Sequence, residues 1–198
     1  NLRIDELEST TLQSELKFLK NQINPHFLFN MLNNANILVK DAPDEASQIL
    51  EKLDNLLRYQ LNDSTRREVF LTADIQLLSR FLELEKVGRD HFGYTIFQEG
   101  NMENICIPPL VFIPFVENAV KHNLDSDNLS YVHLYFSVHN KQLTFRCENS
   151  KPRVPVKREG GIGLANVKRR LDLLYESRYT LQIEDKETTY NVNLHLNL

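Results

Sequence analysis

Leu12, Leu16, Leu19 and Ile23 recur at spacings of four, three and four, the seam of a helix that packs against another helix. Asn24-Pro25 interrupts that seam, because proline lacks a backbone donor and disfavours helical geometry at the residue before it. Asn as N-cap with Pro at the first helical position is also a restart signal, and it predicts a second helix from Pro25 to about Lys40. Asp41 to Asp44, with Pro43 inside it, reads as a turn. Ala46 to Leu61 is amphipathic, with Ile49, Leu53, Leu56 and Leu57 on one face, and Leu71 to Val87 predicts a further helix. The first ninety residues therefore describe antiparallel helices joined by short turns.

After Gly88 the period changes. Val132, Leu134, Phe136 and Val138 alternate with Tyr131, His133, Tyr135, Ser137 and His139. Leu143, Phe145 and Cys147 alternate with Gln142, Thr144 and Arg146, and Val192, Leu194, Leu196 and Leu198 with Asn191, Asn193, His195 and Asn197. Strict alternation marks half-buried strands, and strands with one wet face make a largely antiparallel sheet covered by helices on the other. The covering helices are expected at Pro109 to Asn123 and Leu164 to Tyr175. The expected fold class is α+β: an antiparallel helical region over residues 1–88, then a two-layer α/β sandwich over residues 89–198.

Composition narrows the function. A net charge of −4 argues against a nucleic-acid partner, which needs a basic surface. Cys106 and Cys147 lie far apart with no histidine at metal-ligand spacing, which disfavours zinc and favours a reducing compartment. The apolar run Ile107 to Val116 holds three prolines and is too short to span a bilayer. The chain opens inside a helical pattern without a start methionine, so it reads as a piece of a longer protein, with any membrane connection in a missing N-terminal segment.

Three constellations carry candidate chemistry. In Glu117-Asn118-Ala119-Val120-Lys121-His122-Asn123, helical spacing puts Asn118, Lys121 and His122 on one face with Glu117 at its margin. An amide oxygen and a carboxylate suit Mg²⁺, and a lysine suits phosphate; the plain alternative is a solvated helix end. Gly160, Gly161 and Gly163, half of the six glycines in the chain, directly precede a helix. Glycines admit phosphate close to the backbone, and a helix N-terminus offers unpaired N–H groups, although an ordinary loop has the same composition. Lys151, Arg153, Lys157 and Arg158, just before the glycines, suit a mobile lid over polyphosphate or a solvated basic loop. Last, His26 follows Ile23 at seam spacing beside Pro25; a neutral imidazole is a competent nucleophile toward phosphorus, and a structural histidine is the alternative. His91, His133, His139 and His195 take no role.

Together, Asn24-Pro25-His26-Phe27-Leu28-Phe29-Asn30, Pro114-Phe115-Val116-Glu117-Asn118-Ala119-Val120-Lys121-His122 and Gly161-Ile162-Gly163-Leu164-Ala165-Asn166-Val167-Lys168-Arg169-Arg170-Leu171 resemble the LytS/YesM-type sensor histidine kinases, over roughly residues 15 to 198. The resemblance implies a phosphoacceptor helical region joined to an ATP-binding sandwich of the GHKL (Bergerat) type, shared with gyrase, the Hsp90 chaperones and MutL. It implies that His26 accepts the γ-phosphoryl group of ATP and passes it to an aspartate of a response regulator. Asn118, Lys121, His122, Glu148, Asn149, Gly161, Gly163 and Leu164 become the candidate nucleotide-binding residues, with Asn118 and Glu117 as candidate Mg²⁺ ligands. It also implies a homodimer and a cytoplasmic domain of an inner-membrane sensor. Two positions depart from the related pattern. Cys147-Glu148-Asn149-Ser150 replaces the usual Asp-x-Gly, leaving Glu148 or Asn149 to read adenine, and Pro114 stands where gyrase-type enzymes carry a water-activating Glu. The first motivates a second function class, a degenerate core that dimerises or holds nucleotide without phosphotransfer; the second disfavours hydrolysis.

Overall fold

The computed structural model describes residues 25–62, 66–125, 128–152 and 162–198. In chain order the elements are α1 (Pro25–Leu38), α2 (Pro43–Asn62), β1 (Val69–Phe70), α3 (Leu71–Val87), β2 (Phe92–Glu99), β3 (Cys106–Ile107), α4 (Ile113–His122), β4 (Ser130–His139), β5 (Gln142–Ser150), α5 (Ile162–Tyr175), β6 (Tyr179–Asp185) and β7 (Thr189–Asn197). The class is α+β. The helical seam before Asn24 lies outside the described residues.

Helices α1 and α2 form a hairpin, α2 packs on α3, and the five-stranded sheet runs β2-β4-β5-β7-β6. Its ladders are antiparallel except for β2 and β4, which pair in parallel, Phe92 opposite Ser130. A parallel pair needs a crossover, and α4 lies in it. A second, two-stranded sheet pairs β1 with β3, Val69 opposite Ile107. Pairing of the alternating β4, β5 and β7 follows the sequence expectation, while β2 and β6 lacked a legible pattern because they are the sheet's two edges. Phe97 on β2 and Ile183 on β6 remain 57% and 42% exposed, so apolarity there does not report burial. Gly100 ends β2 at φ 89°, where a Cβ would come within 2.4 Å of the Val138 carbonyl oxygen, so only glycine fits this turn.

The core lies between the sheet and α3, α4 and α5. Phe112 packs against Phe136 and Phe145 at ring-centroid distances of 5.2 and 4.6 Å, and Phe115 lies 5.9 Å from Phe145. The same cluster runs without a break into the hairpin, where Phe27 lies 4.8 Å from Phe81 of α3. Buried apolar contacts are thus continuous across residue 88.

Helix α4 starts at Ile113 rather than at the expected Pro109. The reason is Leu110, at φ 58°, a left-handed conformation that disfavours a side chain with a Cβ by about 1–2 kcal/mol. It is held at both ends: its N–H donates to Asp74 Oδ1 at 3.2 Å, and its carbonyl accepts from the Arg170 guanidinium at 2.7 Å. Arg170 also donates to the Pro109 carbonyl, and Asp74 Oδ1 accepts a second bond, from the Tyr59 hydroxyl, at 2.9 Å. Asp74 and Arg170 are buried, so neither forfeits hydration without return.

Burial pushes the Asp74 carboxyl up to about 6 from 3.8, against the bonds from Tyr59 and Leu110 and the Arg170 charge. A carboxyl that holds its proton more tightly when folded contributes stability that is complete below the unfolded value and lost as pH rises through the folded one. Stability should therefore fall between pH 3.8 and about 6, by up to about 3 kcal/mol on the 1.36 kcal/mol per unit conversion. Urea unfolding across this window should show the fall in the parent and a flatter profile in Asp74→Asn.

Candidate functional site

Helix α4 carries Glu117, Asn118, Lys121 and His122, as helical spacing required. Pro114 falls in its first turn, where its missing N–H leaves no orphan. Phe115, Val116, Ala119 and Val120 are buried, so the opposite face turns outward: Glu117, Asn118 and His122 are half-buried and Lys121 is exposed. The helix packs on β5, on β4 and on α5. Cys147 Sγ lies 4.0 Å from the Phe115 carbonyl, which marks the inner face of β5.

Strand alternation then separates the two candidate adenine readers. Asn149 shares the inner parity of Cys147, is 1% exposed, and donates from Nδ2 to the Ser150 carbonyl at 2.8 Å. Glu148 points to the other face, away from α4, where Arg146 donates to it at 2.6 Å and Tyr131 at 3.4 Å. Glu148 is therefore not brought to the α4 residues, and the correction follows from the period of two along a strand. Ser150, at the missing glycine, accepts from the Tyr131 N–H at 3.0 Å and keeps β5 paired to its end, opposite Thr189.

Gly163 lies in the first turn of α5, where N–H groups lack intrahelical partners, and Leu164 is half-buried against the core. Val167 and Leu171 bury the same face of α5. Gly161 and the cations Arg153, Lys157 and Arg158 lie outside the described residues. Lys151 does not belong to a lid: its ammonium donates to Asp185 Oδ1 at 2.8 Å and to the Lys186 carbonyl at 2.6 Å, which staples it to the β6–β7 turn. His26 is the second residue of α1; its side chain lies outside the described residues.

Two residues that motif reasoning passed over position α4. Arg89, just beyond α3, donates to the carbonyls of Val120 and Asn123 at 3.5 and 3.4 Å, to Asn123 Oδ1 at 3.0 Å and to Ser130 Oγ at 2.8 Å, above the Phe92 ring at 4.4 Å. A cation on the last carbonyls of a helix completes its C-terminus and opposes the negative end of its dipole. Asp74 performs the corresponding task before the N-terminus, through Leu110. Nothing local in the sequence signals either role, because the partners lie 31 to 41 residues away for Arg89 and 36 for Asp74.

The Glu117 carboxyl is pushed up to about 7, first by burial and then by the neighbouring Glu85 charge. Burial also raises Glu85, with Arg89 opposing. A half-buried carboxyl beside a second one, next to an outward amide, is a donor set that a hard divalent cation fits. Among the described residues no group of three or more His, Cys, Asp or Glu gathers that could hold a metal ion. No described helix is long and apolar enough to cross a membrane.

A family model described as histidine kinase matches residues 14–91. Sensor protein LytS of Staphylococcus haemolyticus (strain JCSC1435) is 30% identical over 207 residues, covering 96% of this chain and 35% of that protein. Sensor histidine kinase YpdA of Escherichia coli (strain K12) is 30% identical over 122 residues, 62% of this chain and 22% of that protein. The chain thus spans about a third or less of the length of these relatives. Among solved structures, the histidine kinase domain of the Erythrobacter litoralis EL346 blue-light activated histidine kinase superposes with a TM-score of 0.51 at 19% identity, covering 96% of this chain and 94% of that one. The likeness is one of fold.

Proposed function

Because the chain belongs to the LytS-type sensor histidine kinases, we propose that it is the kinase core of a two-component sensor, which autophosphorylates His26 from ATP and passes the group to a response regulator. The observation that carries this reading is the convergence of two motifs on one face of the sheet: α4, with Asn118, packs against both the inner face of β5, with Asn149, and α5, headed by Gly163. The phosphoacceptor motif opens α1 of the hairpin that joins the same core.

In the proposed step an imidazole nitrogen of His26 forms a bond to the γ-phosphorus in line with the bond that breaks, and the β-phosphate oxygen leaves with ADP. Asn149 reads the base, Lys121 and the N–H groups at Gly161 and Gly163 take phosphate oxygens, and Leu164 closes the apolar side. Mg²⁺, held by Asn118 and Glu117, would supply charge neutralisation on the phosphates. With proline at residue 114, no carboxylate occupies the water-activating position, so the site favours transfer over hydrolysis. The division into residues 1–88 and 89–198 is then one of chemistry, phosphoacceptor and nucleotide, laid over a continuous core.

Phe29, Leu32 and Ile37 on α1 and Leu50 on α2 are exposed apolar side chains of the hairpin. They support a homodimer through the helical region. A location on the cytoplasmic side of an inner membrane, with the anchor in a preceding segment, belongs to the same proposal.

Incubation with γ-labelled ATP and Mg²⁺ tests it: acid-labile protein label with little free phosphate is the expected result. Tight nucleotide binding without label would favour a nucleotide-holding module, the reading that the departure at Glu148-Asn149-Ser150 motivates. Free phosphate without label, or no binding, would sink the kinase reading.

A further inference from the structure

One buried polar network links the hairpin, through α2, to α3, to the lead-in of α4 and to α5. Tyr59 lies in the last turn of α2, and its hydroxyl donates to Asp74 Oδ1 of α3 at 2.9 Å. The same oxygen accepts the Leu110 N–H at 3.2 Å, ahead of α4. The Leu110 and Pro109 carbonyls accept from Arg170 of α5, eight residues along from Ile162 at that helix's start. Four helices from both halves of the chain therefore meet at one carboxylate and one guanidinium, with the left-handed Leu110 between them.

The network is also incompletely satisfied. Asp74 Oδ2, Arg170 Nε and the Tyr175 hydroxyl are buried without a hydrogen-bond partner. Burial raises the Tyr175 hydroxyl above its ordinary value, the Asp74 charge adding to the rise and the Arg170 charge opposing it. Burying three such groups unpaired is unfavourable, which marks this network as one not built for stability alone.

We propose that Tyr59, Asp74 and Arg170 form a latch that sets the phosphoacceptor hairpin against the nucleotide helices, which makes Tyr59 a positioning residue for phosphoryl transfer. This rests on the kinase reading above. A residue that only aligns the nucleophile with a bound phosphate governs the rate of transfer and leaves nucleotide affinity alone, whereas a residue that merely supports the fold moves both.

The test compares the parent chain with Tyr59→Phe, which removes one oxygen, for labelling rate at saturating γ-labelled ATP and for affinity toward a non-hydrolysable ATP analogue. The expected result is a rate lower by about tenfold with affinity unchanged within about twofold. Arg170→Lys, which cannot fork between two carbonyls, should show the same split. Equal labelling of parent and Tyr59→Phe overturns the latch alone, as does a rate and affinity that fall together in both variants. A parent that takes no label overturns the kinase reading, and the latch with it.

Discussion

Replacing His26 with glutamine should abolish acid-labile labelling while nucleotide binding persists. Glutamine is a good helix former of similar reach, so α1 keeps its start at Pro25 and the neighbouring Phe27 keeps its place against Phe81. What disappears is the nucleophile: a side-chain amide nitrogen has no free lone pair for phosphorus, and losing a nucleophile costs at least about a thousandfold in enzymes that depend on one. Three of the other five histidines are engaged elsewhere. His133 and His195 are bonded to Thr95 and Thr144 on the sheet face away from α4, and His139 lies 3.4 Å from Glu99. Undiminished acid-labile label in His26→Gln would move the phosphoacceptor elsewhere. Loss of nucleotide binding with the label would make the residue structural.

The second large effect concerns stability. Arg170→Met should lower the unfolding free energy by about 2–5 kcal/mol, because two buried carbonyls lose their donor at about 1–3 kcal/mol each. Methionine fills nearly the same volume, so a cavity is not the cause. The losses are electrostatic and geometric. The Pro109 and Leu110 carbonyls lose their donor, Asp74 loses the nearby charge that favours its ionised form, and Leu110 keeps its left-handed backbone with one restraint fewer. Burial lowers Arg170 only to about 10, so it is charged at neutral pH and the loss applies there. Urea midpoints read the effect, with the slope expected to hold. A loss under about 1 kcal/mol would mean that water satisfies the two carbonyls.

Most of the helices and three of the five sheet strands were legible in the residue pattern. Leu71–Val87 carries its period for its whole length, because an amphipathic helix repeats its burial every turn. Strands β4, β5 and β7 alternate cleanly, because each has one face on Phe112, Phe115 and their neighbours and one face in water. Strands β2 and β6 did not, because an edge strand buries too little for alternation to register. The start of α4 was misplaced for a different reason. Pro108-Pro109-Leu110 reads as an apolar helical approach, and what turns Leu110 left-handed is a carboxylate from residue 74 and a guanidinium from residue 170.

The candidate site divides in the same way. Residue types and spacing on a single helix placed Glu117, Asn118, Lys121 and His122 together, since an α-helix sets neighbours three and four apart whatever surrounds it. Spacing on a single strand could say that Glu148 and Asn149 face opposite ways, but not which of them faces α4; that depends on which side of the sheet the helices cover, and Asn149 is the inner one. Lys151 looked like part of a basic lid until the β6–β7 turn brought Asp185 to it. By itself the sequence determined the elements whose periodicity is local and the order of the three family motifs. Only the tertiary structure decided the parallel β2–β4 pair, the Arg89 clamp on the end of α4 and the Asp74–Arg170 latch at its start. The β2–β4 ladder pairs residues 38 apart and the Arg89 and Arg170 side chains reach carbonyls 31 to 61 residues away, and no repeat along the chain encodes a contact across such separations.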